Sequence, residues 1–414
     1  MLDPQLIRTE RNAVEKAIRD RHATVDVSAF FALDEKRRAL LQEMETARAE
    51  RNAKSKQKPT HAEIIKLKKI GETIAKKETA LATIEEQRQL ILLAMPNIPH
   101  ESVPVGEREE NNVVLKKGGK KPRLKNPCEY FDIPAVKPYL DIERGVRTSG
   151  ARFYYLRGPL AQLERALMQY ALDFITAKGF ELLITPILVK EHALFGTGYF
   201  PNGRNEVYAV NPGEDNLFLV GTSEQAITAF HADETLEAKD LPKKYTAFTP
   251  CFRREAGSYG KDTQGILRVH QFNKVEMVAF TTPETSWKML AEMVKLTEAF
   301  YQSLGIPYQL VTLCTGDLGF QSAKTIDVEG WFPGQNRYRE LGSASNTTDF
   351  QARRLTIRSI AKTGEKQLVH TLNNTVVADR ALLALLENYQ QADGSVTVPT
   401  VLQKYTHFKK IAVS

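Results

Sequence analysis

From Val27 to Leu93 the chain is almost free of glycine and proline, with Pro59 and Gly71 the exceptions, and it is rich in Ala, Glu, Lys and Arg. Such a composition leaves helix as the only regular structure available. In the second half Leu67, Ile70, Ile74, Leu81, Ile84 and Ile91 keep a three/four spacing broken only around Lys77. In the first half Leu33, Leu40, Met44 and Ala47 keep the same spacing. Residues 53–61, AKSKQKPTH, separate the two runs, with Pro59 as the breaker. The pattern predicts two long antiparallel helices in a coiled-coil hairpin, each arm of about 30 residues reaching roughly 45 Å. An apolar seam this narrow leaves most of each helix wet, so the hairpin is expected to project from the rest of the protein.

The outer part of that hairpin is basic. Between Arg48 and Lys77 stand ten cations (Arg48, Arg51, Lys54, Lys56, Lys58, Lys66, Lys68, Lys69, Lys76, Lys77) against Glu50, Glu63 and Glu72. Ten minus three is +7, equal to the net charge of the whole 414-residue chain. Two readings follow: an ordinary solvated coiled coil, or an extended positive rod that holds folded RNA by its backbone and shape. The rest of the composition, 42% hydrophobic and 26% charged, belongs to a globular protein of two or three domains. No apolar run approaches a bilayer span and MLDPQLIRTE lacks a signal-peptide core, so a cytoplasmic location is expected. Cys128, Cys251 and Cys314 are well separated, which argues against a disulfide framework and gives little support for zinc.

After Pro96–Gly106 the chain crosses VVLKKGGKKPRLKNP (113–127), a surface loop or a second RNA contact. Residues 160–180 read as an amphipathic helix running into a strand, ELLITPILV. Farther on, Cys251 to Met277 reads as two strands joined by a loop with Gly257, Gly260, Lys261, Asp262 and Gly265. The first strand is expected to deliver Arg253 and Glu255. The second would carry Arg268, His270, Phe272 and Glu276 at even spacing, all on one sheet face. This is either a solvent-facing hairpin laced with ion pairs or a site for a zwitterion and a nucleotide.

Phe-Arg-x-Glu, a loop, then Arg-x-His-Gln-Phe-x-Lys-Val-Glu is similar to motif 2 of class II aminoacyl-tRNA synthetases, in the version typical of the seryl-tRNA synthetase family. PNIPHESVPVG (96–106), TPILV (185–189), GTGYFP (196–201), VGTSEQAIT (220–228), PGQNRYREL (333–341), SNTTDFQARR (345–354) and LLENYQ (385–390) resemble the same family in the same order. The resemblance covers nearly the whole chain. It implies an α+β fold: an N-terminal tRNA-binding domain with the hairpin (1–106), then a class II antiparallel β-sheet catalytic domain flanked by helices (107–414). It implies a homodimer built partly by the 160–189 helix and strand, which by themselves could equally be a core pair. The activity implied is formation of seryl-adenylate from L-serine and ATP with Mg2+, then transfer of serine to the 3′ end of tRNA(Ser), and of tRNA(Sec) where it exists. The basic hairpin would grip the tRNA through Arg48, Arg51, Lys54, Lys56, Lys58, Lys66 and Lys69.

Carried over residue by residue, the resemblance makes Arg253 the bridge between the substrate carboxylate and the α-phosphate. Glu255 would read the adenine amino group, with Arg254 beside it, and Phe272 would stack on adenine. Arg268, next to Val269, would lie near the outer phosphates. Glu340 would hold magnesium with Ser343, in a stretch with Leu341 and Gly342, and Arg380 would meet the γ-phosphate. Thr222, Ser223 and Glu224 would surround the α-ammonium of serine, and Glu276 would accept from its hydroxyl. Phe272 as plain core, and Glu340 in a surface ion pair with Arg337 or Arg339, are the competing readings. Asp379 reads as the N-cap of the helix that Arg380 opens. The stretch from Asn373 to Arg380 is one residue shorter than the family pattern and lacks its glycines. The serine contact there therefore stays open among Thr375, Asn373 and Asn374. Two rivals remain in view: a relative that loads a carrier protein, which needs no RNA arm, and a non-catalytic RNA-binding paralogue, which needs none of these arginines and carboxylates.

Overall fold

The computed structural model describes residues 1–55, 60–256 and 264–413. Lys56, Lys58 and Pro59 of the hairpin turn, and Gly257, Gly260, Lys261 and Asp262 of the loop, lie outside the described residues. The chain divides into two compact units, Met1–Ile98 and Pro99–Ser414. Residues 99–106 belong to the second unit, where the Gly106 amide donates to the Thr315 hydroxyl and that hydroxyl donates to the Gly106 carbonyl.

The first unit holds α1 (Pro4–Thr9), α2 (Arg11–Asp20), α3 (Val27–Ser55) and α4 (His61–Ala94). Thr60 caps α4 in a capping box: its hydroxyl accepts from the Glu63 amide and the Glu63 carboxylate accepts from the Thr60 amide. The seam between α3 and α4 buries Phe30, Met44, Ile74 and Leu92. Lys77, where the apolar spacing breaks, takes the seam position and pairs with Glu43 across the hairpin. Arg37–Glu85 at 3.0 Å, Arg48–Glu78 at 2.8 Å and Arg88–Asp34 at 3.0 Å cross it as well. Asp34 is only 1% exposed, held bidentately by Arg8 at 2.7 and 3.0 Å and by Arg88 Nε at 3.0 Å. The hydrogen bond from Arg8 is the first reason that its carboxyl stays below the ordinary range.

The second unit is built on an eight-stranded sheet. Its strands are β1 (Val113–Gly118), β2 (Glu181–Leu182), β3 (Lys243–Phe252), β4 (Gln271–Thr281), β5 (Tyr308–Thr312), β6 (Lys324–Phe332), β7 (Arg337–Asn346) and β8 (His370–Ala378), in the order β1-β5-β6-β7-β8-β4-β3-β2. Every pairing is antiparallel except β2 with β3. β4 shows how period-two alternation sorts side chains. Val275, Met277 and Ala279 enter the main core with helices α5 (Gly158–Thr176), α7 (Ser286–Ser303) and α9 (Asp379–Tyr389). Val278 and Phe280 enter a smaller core on the opposite face with α6 (Ser223–Ala229) and α8 (Phe350–Leu355). α9 is apolar on nearly all sides because it is buried on nearly all sides, Ala381 to Leu386 being at most 1% exposed.

Four local expectations are corrected. The β3 strand ends at Phe252, before Arg253 and Glu255, because Glu255 adopts a left-handed φ of 52° that no strand sustains. β4 starts at Gln271, so Arg268 and His270 precede it rather than share its alternation. ELLITPILV is two short strands, Glu181–Leu182 and Leu188–Lys190, in different sheets, with Pro186 between them unable to donate to a ladder. The 113–127 segment, read as a loop, opens with the edge strand β1.

Candidate active site

Two strand faces and one helix start converge on a single cleft. β4 presents Phe272, Lys274 and Glu276 on one side; β8 presents Asn373 and Thr375; α6 begins at Ser223, capped by the Thr222 hydroxyl, which accepts from the Glu224 amide at 3.2 Å. The register pairs Glu276 with Thr375 across β4 and β8, and the Thr375 hydroxyl donates to Glu276 Oε2 at 3.0 Å. Lys274 Nζ reaches the same oxygen at 2.6 Å and the Thr222 hydroxyl at 2.7 Å. Lys274 and Glu276 are 5% and 1% exposed, so this is a buried ion pair with its hydrogen bonds supplied. A Cβ on Gly342 would come 2.8 Å from the Thr375 Cβ, so β7 needs glycine to approach β8 there.

Glu224 is held from two sides. Its Oε1 accepts from Gln351 Nε2 at 2.7 Å and Asn373 Nδ2 at 3.0 Å, and its Oε2 from the Tyr199 hydroxyl at 3.2 Å. Burial first, and the charge of Glu276 second, push its carboxyl up to about 7. Ser223 is buried, its Oγ without a partner among the described residues. Asn374 turns the other way, donating to the Met293 carbonyl at 2.9 Å and the Thr297 hydroxyl at 2.8 Å of α7. Alternation along β8 therefore brings Asn373 and Thr375 to the cleft and removes Asn374 from it.

Cations line the rest. Arg253 Nε donates to the Gly221 carbonyl at 3.2 Å, and its guanidinium lies 5.3 Å from the Phe272 ring centroid. Arg268 pairs with Glu255 at 2.7 Å, and the Arg254 amide donates to the Glu206 carbonyl. Arg380 binds Glu340 at 2.9 Å and donates through Nε to the Leu267 carbonyl at 3.2 Å. Glu340 thus pairs with Arg380, not with Arg337 or Arg339. Desolvation opposes its charge, but Arg380 and Arg253 outweigh that and hold its carboxyl low. Ser343 Oγ stands 3.5 Å from Glu340 Oε1. Val269 and Leu341 are 6% and 2% exposed with their side chains in the main core, which leaves only their backbones available to a ligand.

Asp379 is not the N-cap of α9; Ala378 is, with no side-chain cap. Asp379 is instead buried, its Oδ2 accepting from the Tyr154 hydroxyl at 2.8 Å and the Asn273 amide at 3.0 Å. Those donors lie on the core side of the helix start, so the carboxylate cannot fold back to cap. Burial first, then the neighbouring Glu164, push its carboxyl to about 7.

Sequence reasoning missed Lys274, although it sits between Phe272 and Glu276 at even spacing. Tyr199 and Gln351 lie inside GTGYFP and SNTTDFQARR, motifs that pointed to the family without singling out either side chain. Asp327 of β6 was missed because no local pattern marks it. It opposes Ser343 in register, and its Oδ1 is buried without a partner among the described residues. Burial, then Glu340, raises its carboxyl well above the usual range. Of the expected RNA-facing cations, Arg48 is paired with Glu78 and Lys54 with Glu50, while Arg51, Lys66 and Lys69 are exposed.

Comparison with known proteins gives a consistent picture. The seryl-tRNA synthetase N-terminal domain model matches residues 1–99, and the class II core domain of tRNA synthetases (G, H, P, S and T) matches residues 207–389. A serine–tRNA ligase of Burkholderia vietnamiensis is 45% identical over 425 residues, covering 98% of this chain and 97% of its own. One of Fervidobacterium nodosum is 43% identical over 418 residues, covering 98% of each chain. The crystal structure of seryl-tRNA synthetase from Pyrococcus horikoshii complexed with ATP superposes with a TM-score of 0.95 at 37% identity, over 100% of this chain and 99% of that one. A Giardia lamblia prolyl-tRNA synthetase, at 18% identity and a TM-score of 0.57 over 66% of this chain and 53% of that one, shares the fold alone.

Proposed function

The chain belongs to the seryl-tRNA synthetase family of class II, and from that premise we propose how its own residues divide the work of serine–tRNA ligation. The reaction has two steps. A serine carboxylate oxygen attacks the α-phosphorus of ATP and pyrophosphate leaves; a ribose hydroxyl of the tRNA's terminal adenosine then attacks the carbonyl carbon and AMP leaves. Neither step needs a protein nucleophile. Both need reactants held in line and charge absorbed on phosphate oxygens.

The observation that carries the residue assignment is the buried set Glu224, Lys274, Glu276 and Thr375, two carboxylates fixed side by side at one end of the cleft. Glu224 and the Thr222–Ser223 turn receive the α-ammonium. Glu276 Oε2 is taken by Lys274 and Thr375, so Oε1 is the oxygen for the serine hydroxyl. An alanine substrate would leave that acceptor unpaired, which costs about 1–3 kcal/mol or more. Asn373 positions Glu224 rather than touching serine. Arg253 spans the substrate carboxylate and α-phosphate, its planar fork suited to two oxyanions. Phe272 offers its ring to adenine, Glu255 and Arg254 its edge, and Arg268 and Arg380 take the outer phosphates.

The donor set Glu340, Ser343 and the orphan Asp327 Oδ1 is all oxygen, as Mg2+ requires. When bound there, the ion would neutralise charge on the phosphates. The exposed Arg51, Lys66 and Lys69 of the hairpin serve tRNA. Exposed apolar side chains at Leu182, Ile184, Ile187 and Leu188, with Ile184 98% exposed, favour a homodimer covering that face. No helix among the described residues is long and apolar enough to cross a membrane. The test is pyrophosphate exchange into ATP with the twenty amino acids in turn. Serine alone should drive it, and Arg253→Ala should abolish it with the fold intact. Exchange driven by another amino acid overturns the pocket, and normal exchange in Arg253→Ala removes that arginine from its role.

A further inference from the structure

Residues 113–127 carry six cations, Lys116, Lys117, Lys120, Lys121, Arg123 and Lys125, and no carboxylate. Strand alternation in β1 divides the first two. Lys116 goes to one face, where it pairs with Glu298 at 2.7 Å. Lys117 goes to the other, 5.7 Å from the Tyr338 ring centroid. Gly119, at φ 74°, then turns the chain tightly against Pro307; a Cβ there would lie 2.8 Å from the Pro307 Cα. The turn brings Lys121 back over the same face. Its ammonium sits 3.0 Å from the Trp331 centroid and 4.8 Å from that of Tyr338.

This face is the one that carries the active site. In register Lys117 opposes Gln309, Gln309 opposes Glu329, and Glu329 opposes Glu340. Lys117 and Glu340 thus stand in one row, three strand spacings apart, or roughly 15 Å. Glu340 is the carboxylate that holds Arg380.

Lysines on an edge strand often serve only to block edge-to-edge pairing. That role explains Lys117 but not a second lysine returned to the same face and seated on two aromatic rings. The seat has a cost: desolvation first, and the charge of Lys117 second, lower the pKa of Lys121. The nearest carboxylate in the row, Glu329, is engaged by Gln309 Nε2 at 2.6 Å, and burial first, then Glu340 and Glu109, shift its pKa upward. Lys120, Arg123 and Lys125 stand exposed beside the seat. An incoming polyanion would relieve the repulsion.

We propose that Lys117 and Lys121, seated on Tyr338 and Trp331, together with the exposed Lys120 and Arg123, form a phosphate-binding platform for the RNA strand whose 3′ end enters the site. The proposal rests on the reading of the chain as a serine–tRNA ligase. A row of cations beside aromatic rings, on the same face as the reacting groups, matches the backbone of a nucleic acid strand more closely than a compact anion.

The test compares the unaltered enzyme with Lys117→Ala/Lys121→Ala and with Lys121→Arg, in serine-dependent pyrophosphate exchange and in serylation of tRNA(Ser) across a salt series. Exchange should stay within about twofold. For the double variant, kcat/KM for tRNA should fall about tenfold, and its salt slope should flatten by about 1–2, close to one unit for each phosphate that is no longer neutralised. Lys121→Arg should retain most of the activity. Unchanged serylation with an unchanged salt slope overturns the platform while leaving the enzyme reading intact. Loss of exchange in the double variant also overturns it, by placing these lysines in the activation step. Absence of serine-driven exchange in the unaltered enzyme strikes the reading on which the proposal stands.

Discussion

Lys274 and Glu276 stand two residues apart on one strand, and their side chains meet at 2.6 Å beneath the Thr222 hydroxyl, with each nearly inaccessible to solvent. Desolvating two charges is expensive, and the pair is tolerable only while each compensates the other. Lys274→Met leaves Glu276 buried beside Glu224 with no cation between them. It should cost about 3 kcal/mol in denaturant unfolding and lower serine-dependent exchange at least a hundredfold. Adding Glu276→Gln to the same chain should restore stability by more than about 1 kcal/mol without restoring exchange. If the two substitutions are simply additive in stability, the pair is not coupled as described.

Glu224 predicts a pH dependence. Its carboxyl is raised to about 7 in the protein without substrate, chiefly by burial. A cationic α-ammonium favours the ionised form, so binding below that value must first release a proton. Apparent affinity for serine should therefore rise with pH up to about 7 and level above it. Glu224→Gln should bind serine weakly and lose the inflection. A serine KM that is flat from about pH 6 to 8 would remove Glu224 from contact with the ammonium.

Asp379 makes the opposite kind of statement, about stability. Its folded pKa of about 7 lies above the unfolded value, so the folded protein binds more protons between roughly pH 4 and 7. Stability from this group is fully present below the unfolded pKa and is lost as pH rises through the folded one. Asp379→Asn mimics the protonated acid, still offering an oxygen to Tyr154 and Asn273. It should stabilise the protein at about pH 8, by on the order of 2 kcal/mol, and change little at about pH 4.5. Equal effects at both values would show that Asp379 does not carry the proton.

The hairpin separates charge that is spent from charge that is available. Arg48, Lys54 and Lys77 are engaged in ion pairs, whereas Arg51, Lys66 and Lys69 are exposed. Arg51→Glu/Lys66→Glu/Lys69→Glu should raise the KM for tRNA at least tenfold at low salt, and the gap should narrow as salt rises. Pyrophosphate exchange with serine should not change. An unaltered KM for tRNA would return this surface to an ordinary solvated coiled coil.

The amino-acid sequence alone determined whatever depends on neighbours along the chain. The two long helices followed from the near absence of glycine and proline and from a three/four spacing. The family followed from collinear motifs, and through it the candidate roles of Arg253, Glu255, Phe272, Glu340 and Arg380. Tertiary structure decided the rest, because it depends on partners far away along the chain. Register and alternation chose Asn373 and Thr375 over Asn374 and set Thr375 against Glu276. Tyr154 and Asn273 turned Asp379 from a cap into a buried acid. Lys77 looked like a flaw in a spacing until Glu43 stood opposite it. A periodic pattern says which face of an element a residue occupies, but the chemistry of a buried polar group is set by what the fold places across from it.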